Sequence, residues 1–205
     1  RDVSRGFTEG YYYKPRVDEE LLRQYHEGII ALSACLAGEL PRTILRGMMD
    51  EAEKVIHKYR DIFGEGNYFL ELQDHGIADQ STVNAALINL SKKTGVPLVV
   101  TNDVHYTYKE DAAAHDLLLC IQTQRTVKDE GRMRYEGEEY YIKSEEQMRE
   151  LFKYVPEAVD NTQRIADRCN VTIEFGNTKL PHFEVPEGFT PLTYLRSLCD
   201  NRMLE

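Results

Sequence analysis

Apolar and polar positions along the chain fall into two alternating patterns. Residues 28–34 (GIIALSA), 67–73 (NYFLELQ) and 97–100 (PLVV) are short apolar runs bounded by turn-forming residues. Such runs read as strands buried on both faces. Between and after them, apolar residues recur at helical spacing over residues 39–46, 50–63, 80–94 and 110–123. The order strand, helix, strand, helix, strand, helix predicts an α/β fold with parallel strands joined by right-handed crossovers. A (β/α) barrel, or part of one, is the simplest architecture that accommodates it.

The flanks are less regular. Residues 1–17 read as the end of a helix and a loop, with Tyr11-Tyr12-Tyr13 ahead of Pro15. Those tyrosines either pack an irregular segment or stack on nucleic-acid bases. Val17-Asp18-Glu19-Glu20 opens a short helix with an acidic first turn. Residues 139–142 suggest a short strand. Ser144 and Gln147 form a capping-box pattern for a helix through Tyr154, and residues 156–169 form another. Pro181, Pro186 and Pro191 mark a linker, beyond which residues 190–203 form the first helix of a following domain.

The chemistry concentrates behind the third run, at Thr101-Asn102-Asp103-Val104-His105. If the strand continues, Asp103 and His105 share one face at its carboxyl end, because side chains at i and i+2 point the same way. That end is where α/β folds bind ligands and metals. Cys35 ends the first strand in the same manner. Thiolate, carboxylate and imidazole together suit Zn, with Mn or Fe as alternatives. The competing reading is a buried cysteine and a polar loop. His75 follows the second strand as a reserve ligand or acid/base, against the simpler reading of a solvent-facing loop residue. His115-Asp116 suggests a structural hydrogen bond within a helix, and His26, His57 and His182 have no evident partner. No phosphate-binding loop, serine-hydrolase elbow or nicotinamide fingerprint is present.

Composition narrows the classes. The 205 residues are 41% hydrophobic and 29% charged, which excludes disorder and membrane spanning. A cytoplasmic protein is expected. A formal net charge of −10 repels phosphate backbones and makes this segment a poor main grip on nucleic acid. Cys35, Cys120, Cys169 and Cys199 are too scattered for a disulfide framework, so buried reduced thiols are expected for all but Cys35. The start, Arg1-Asp2-Val3, lacks an initiator Met and suggests a cut-out fragment.

Longer strings carry a family likeness. Residues 28–42 (GIIALSACLAGELPR), 69–76 (FLELQDHG), 97–106 (PLVVTNDVHY), 114–123 (AHDLLLCIQT), 132–148 (RMRYEGEEYYIKSEEQM) and 156–169 (PEAVDNTQRIADRC) resemble the alpha subunit of bacterial DNA polymerase III. The match is ordered and nearly continuous from Phe7 to about Leu195. It covers the polymerase-and-histidinol-phosphatase (PHP) domain, of which this chain resembles the C-terminal two thirds.

The resemblance implies a partial, distorted (β/α)7 barrel of PHP type lacking its first strands. Residues 1–180 would be PHP fragment and 181–205 the linker and start of the polymerase region. It also implies a mouth holding divalent metals (Zn, Mn or Fe) for 3′–5′ exonuclease proofreading within a replicative polymerase. The family's later ligands fall on Cys35, Asp103 and His105. Its earlier ones, including a His-x-His strand, have no counterpart here, and neither do the Mg-binding polymerase carboxylates. DNA and other replicase subunits would be partners of the parent protein. A non-catalytic scaffold docking a proofreading subunit is the alternative, and a stand-alone PHP phosphoesterase a weaker one. The 205-residue chain alone is expected to bind metal weakly, to lack nuclease activity, and to dimerise or rearrange through exposed strand edges.

Overall fold

The computed structural model describes residues 2–176 and 183–203, and the side chains from residue 4. They form two compact units, Arg1–Cys169 and Asn170–Glu205. The boundary expected between residues 180 and 181, with Pro181 and His182, lies outside the described residues.

The first unit opens with α1 (Asp2–Thr8) and α2 (Glu19–Tyr25). Asp18 caps α2, its Oδ1 accepting the Leu21 N–H at 2.9 Å, which satisfies an otherwise orphaned donor beside the acidic first turn. Strand β1 (Ala31–Leu32) follows, then α3 (Glu39–Leu45), α4 (Met49–Phe63), β2 (Tyr68–Leu72), α5 (Ala78–Thr94) and β3 (Leu98–Val100). The sheet is parallel, in order β1-β2-β3. Ala31 lies opposite Tyr68, and Leu70 opposite Leu98. The expected alternation of strand and helix is therefore present, as a three-stranded parallel sheet with helices.

Why these segments fold so is visible in what they bury. Helix α4 turns Ala52, Val55, Ile56, Ile62 and Phe63 inward, an i, i+3, i+4 stripe. Helix α5 does the same with Val83, Leu87 and Leu90, and ends where Gly95 adopts φ +75°, the left-handed cap that glycine takes without strain. Leu70, Leu72, Leu87, Ile56 and Leu40 are fully enclosed. Each such side chain contributes roughly 1.5–3 kcal/mol of burial free energy, before the entropy of ordering is subtracted.

After β3 the chain forms a short 3-10 turn at Lys109–Asp111, α6 (Ala112–Thr123), a long irregular stretch, α7 (Glu145–Leu151) and α8 (Pro156–Arg168). The capping box at Ser144 and Gln147 is formed. Helix α8 packs on β3, where Asn161 Nδ2 donates to the Leu98 carbonyl at 2.7 Å.

Several expectations are corrected. Strand β1 is two half-buried residues rather than the whole of residues 28–34. Residues 139–142 make no strand, only a parallel bridge between Tyr106 and Tyr141. Helix α7 stops at Leu151, three residues short of Tyr154. Tyr11, Tyr12 and Tyr13 are exposed rather than packed away, on a turn where Tyr13 has φ +60°. Of the cysteines only Cys120 is buried; Cys169 and Cys199 are exposed thiols.

The second unit holds α9 (Pro191–Arg202), capped by Thr190 and Thr193, with Tyr194 packed edge-on against Phe189. Among the described residues no helix is long and apolar enough to cross a membrane.

Candidate functional site

Parallel strands bring their carboxyl ends to one pole, and the expected site residues leave the sheet there. Beyond β1 the chain turns sharply through residues 33–38. Gly38 closes the turn, since a Cβ there would sit 2.8 Å from the Ser33 carbonyl oxygen. Cys35 is half-buried in this turn, next to Ala34, which holds φ +66°. A non-glycine residue persists in the left-handed region only when its surroundings over-determine it. Here the Ala34 N–H donates to Glu71 Oε2 at 3.0 Å.

Glu71, on β2, is the knot of this pole. Its backbone N–H donates to Ser33 Oγ at 2.8 Å, at the end of β1. Its Oε1 accepts from the Thr101 hydroxyl, just past β3, and from Gln73 Nε2 at 3.0 Å. One carboxylate thus binds all three strand ends. Charge on it is met by hydrogen-bond donors, which is how a half-buried carboxylate stays tolerable.

Asp103 and His105 do not share a strand face, because β3 ends at Val100. They occupy the loop beyond it, where Asp103 has φ +41°. Both are exposed. The bend brings the Asp103 carbonyl within 2.6 Å of His105 Nδ1. A carbonyl only accepts, so Nδ1 carries the proton and Nε2 presents its lone pair. That lone pair accepts the Tyr135 hydroxyl at 2.7 Å. Burial, then the charges of Asp103 and Cys35, push the Tyr135 phenol up.

Around it lies a cage of rings. Tyr135 meets His105 with centroids 4.4 Å apart, and His115 at 5.2 Å. Tyr140 stacks on His75 at 4.0 Å and 13°. Burial, then Asp103, push the Tyr140 phenol up to about 12. Burial, then the neighbouring His105, lower the pKa of His115.

His75 is neither a solvent-facing loop residue nor an available ligand. It is buried, with Nε2 against the Asn102 carbonyl at 3.0 Å and Nδ1 against Gln80 Nε2 at 2.8 Å, so both ring nitrogens are spent. Asp116 pairs not with His115 but with Arg132, a two-pronged contact that holds its carboxyl below the usual range; the Arg132 side chain is only 2% exposed. His26 has a partner after all, the Arg23 carbonyl at 2.8 Å from Nδ1.

Thiolate, carboxylate and imidazole are the right donor types for zinc. Their placement does not make a shell. Among the described residues no three His, Cys, Asp or Glu side chains stand close enough to hold one ion, and the ligating atom of His105 is already engaged. No hydrolytic step through a metal follows from this arrangement.

Residues 1–75 match the PHP domain family, a span that includes Cys35 but neither Asp103 nor His105. The chain is 50% identical over 196 residues to the DNA polymerase III subunit alpha of Treponema pallidum, covering 95% of this chain and 17% of the relative. It is 44% identical over 198 residues to that of Borreliella burgdorferi (96% and 17%) and 42% over 204 to that of Thermus aquaticus (97% and 17%). Along nearly all of its length the chain is similar to DNA polymerase III alpha subunits. It spans about one sixth of the length of these relatives. PHP domains as a class are metal-dependent, and residues 1–75 are the part of this chain that matches them.

Sequence reasoning missed Glu71 and Tyr135. Glu71 interrupts an otherwise apolar strand, a signal that a half-buried carboxylate has a job there. Tyr135 lies 30 residues past His105 in an irregular stretch, and nothing local marks it.

Proposed function

We propose that the chain is the PHP segment of a replicative DNA polymerase catalytic subunit, and that its strand-end pole supplies Cys35, Asp103 and His105 to a nuclease centre of the intact protein. The supporting observation is identity of 40–50% to alpha subunits along most of the chain, together with the departure of Cys35, Asp103 and His105 from the carboxyl ends of β1 and β3. In this reading β1, β2 and β3 are three strands of a distorted seven-stranded barrel. Residues up to 180 belong to the PHP domain, and 181–205 to the linker and the start of the polymerase region. The remaining ligands come from outside this chain, the ion being Zn, Mn or Fe, and the reaction is hydrolysis at a 3′ end of DNA. Magnesium serves the polymerase carboxylates elsewhere in the subunit. Other replicase subunits are partners, in the cytoplasm.

A scaffold reading has its own support. The His105 lone pair is occupied, and α6 turns Leu117, Leu118 and Ile121 outward, 52–74% exposed, which suits a docked partner.

Grafting this chain in place of the matching segment of an alpha subunit tests both. The chimera is expected to polymerise and to degrade 3′ ends with Mn. Asp103→Asn then lowers degradation by on the order of tenfold or more, with polymerisation unchanged. Loss of polymerisation in the parent chimera overturns the reading; indifference of degradation to Asp103→Asn favours the scaffold. The chain by itself is expected to show no turnover above an Asp103→Asn control.

A further inference from the structure

We infer that the turn at residues 11–16 is a docking surface for single-stranded nucleic acid, its tyrosines stacking on bases while Lys14 and Arg16 meet the phosphates. Residues 10–17 (GYYYKPRV) hold three rings and two cations with no acid among them, in a chain whose net charge is −10. The nearest acids in sequence are occupied: Glu9 by the Arg5 guanidinium at 2.8 Å, and Asp18 by the cap of α2. Lys14 and Arg16 form no ion pair among the described residues. The turn is closed at its base. The Arg16 N–H donates to the Gly6 carbonyl at 3.3 Å, and the Tyr12 N–H to the Lys14 carbonyl at 3.2 Å. A Cβ at Gly10 would stand 2.2 Å from the Arg16 carbonyl oxygen, so glycine is what lets the two arms meet. Arg5 ties this base to α2, its Nη1 donating to Tyr25 Oη at 2.9 Å. At the tip Tyr13 holds φ +60°, a state that costs a bulky residue energy and persists where its surroundings impose it.

A turn fixed in this way still keeps its side chains out. Tyr11, Tyr12 and Tyr13 are 58–81% exposed, and Phe7, 5.6 Å from Tyr11 between ring centres, is exposed too. Aromatic rings gain more from burial than most side chains, so a cluster of them held in water marks a surface that a partner covers. The chemistry favours a single strand as that partner. A ring stacks on any base, and a cation beside it holds the backbone. Arg16 stands 5.6 Å from the centre of the Tyr12 ring, so stacking and charge are offered side by side. A duplex hides its base faces and sets a denser charge against an acidic protein. A proline-rich peptide docks in a groove lined by rings; here Tyr12 and Tyr13 meet edge-on, 4.7 Å and 78° apart, which leaves ring faces open. The inference concerns the binding of a strand and not its cleavage, so it stands or falls separately from the proposed function.

The experiment separates stacking from charge. A labelled oligothymidylate of roughly twelve nucleotides is titrated with the 205-residue chain at low salt and followed by fluorescence anisotropy. An abasic strand of the same length carries the same phosphates without base faces. Oligothymidylate is expected to bind about fivefold or more tighter than the abasic strand. Tyr13→Gly removes a ring while suiting φ +60°, and Tyr11→Ala removes another; each is expected to weaken binding by about fivefold or more, and Tyr13→Phe to keep wild-type affinity. Lys14→Gln is expected to flatten the slope of log affinity against log salt by about 0.7. With 5-iodouracil in the strand, near-ultraviolet irradiation is expected to couple the base to the tryptic peptide 6–16. The substituted side chains are exposed, and matched circular dichroism melts show that each variant folds. Absence of binding, equal affinity for the abasic strand, or full affinity in both ring variants overturns the inference. A polyproline peptide that displaces the strand at lower concentration than unlabelled oligothymidylate assigns the turn to a protein partner and overturns it as well.

Discussion

The two outer strands, β1 and β3, flank the same central strand and meet different fates. All three residues of β3 are buried, and its outer side is covered by α8, with Asn161 capping the Leu98 carbonyl. Strand β1 is half-buried, and among the described residues no strand pairs with its far side. Both come from apolar runs of similar character. The difference teaches that an apolar run sets the capacity to be a buried strand, while a second neighbour decides whether the capacity is realised. Parallel strands need cover on both faces and an occupied edge.

The largest effect is expected in β3. Leu98→Ala should cost about 3 kcal/mol of unfolding free energy in urea melts, the range for emptying a well-packed leucine site. Next comes the edge itself: Asn161→Ala should cost about 2 kcal/mol, because it strands a buried carbonyl. Leu32→Ala in β1 should cost about 1 kcal/mol or less, since half that surface is already wet. A Leu32→Ala penalty equal to that of Leu98→Ala would break the comparison and mean that β1 is covered in solution. Sedimentation would then have to show a dimer.

The smallest effect is a pH dependence beyond β3. Tyr140 titrates near 12 in the folded chain against about 10 when unfolded. Its contribution to stability is therefore whole below pH about 10 and is lost as pH rises through about 12. Tyr140→Phe should flatten the fall in melting temperature over that window. An unchanged alkaline profile would show that the buried phenol is not what responds.

Much of the helical framework was legible because its signals are local. Asp18 and Ser144 announce helix starts through their own side chains, and Gly95 ends α5 by its own backbone freedom. The strands were legible in position but not in length. Nothing in residues 28–34 says how many neighbours the run will have. The pole was half legible: Cys35, Asp103 and His105 do leave the sheet at the same end. The assumption that β3 runs on through Asp103 failed because the backbone bends at φ +41°, a conformation that aspartate tolerates better than most residues. Glu71 and Tyr135 needed tertiary knowledge, since their partners lie 30 or more residues away.

The irregular stretch between α6 and α7 has a further consequence. Residues 124–130 are almost wholly exposed, while the chain after them is fastened sideways by Arg132 to Asp116, by Tyr140 to His75 and by the Glu139 and Tyr141 carbonyls to Asn102. Covalent continuity across those seven positions therefore carries little of the assembly. A single tryptic nick at Arg125 or Lys128 should leave two pieces that travel as one particle through gel filtration and part only in denaturant. The same bond is where new termini could be opened, because exposed loops with few anchors are the sites that tolerate a break.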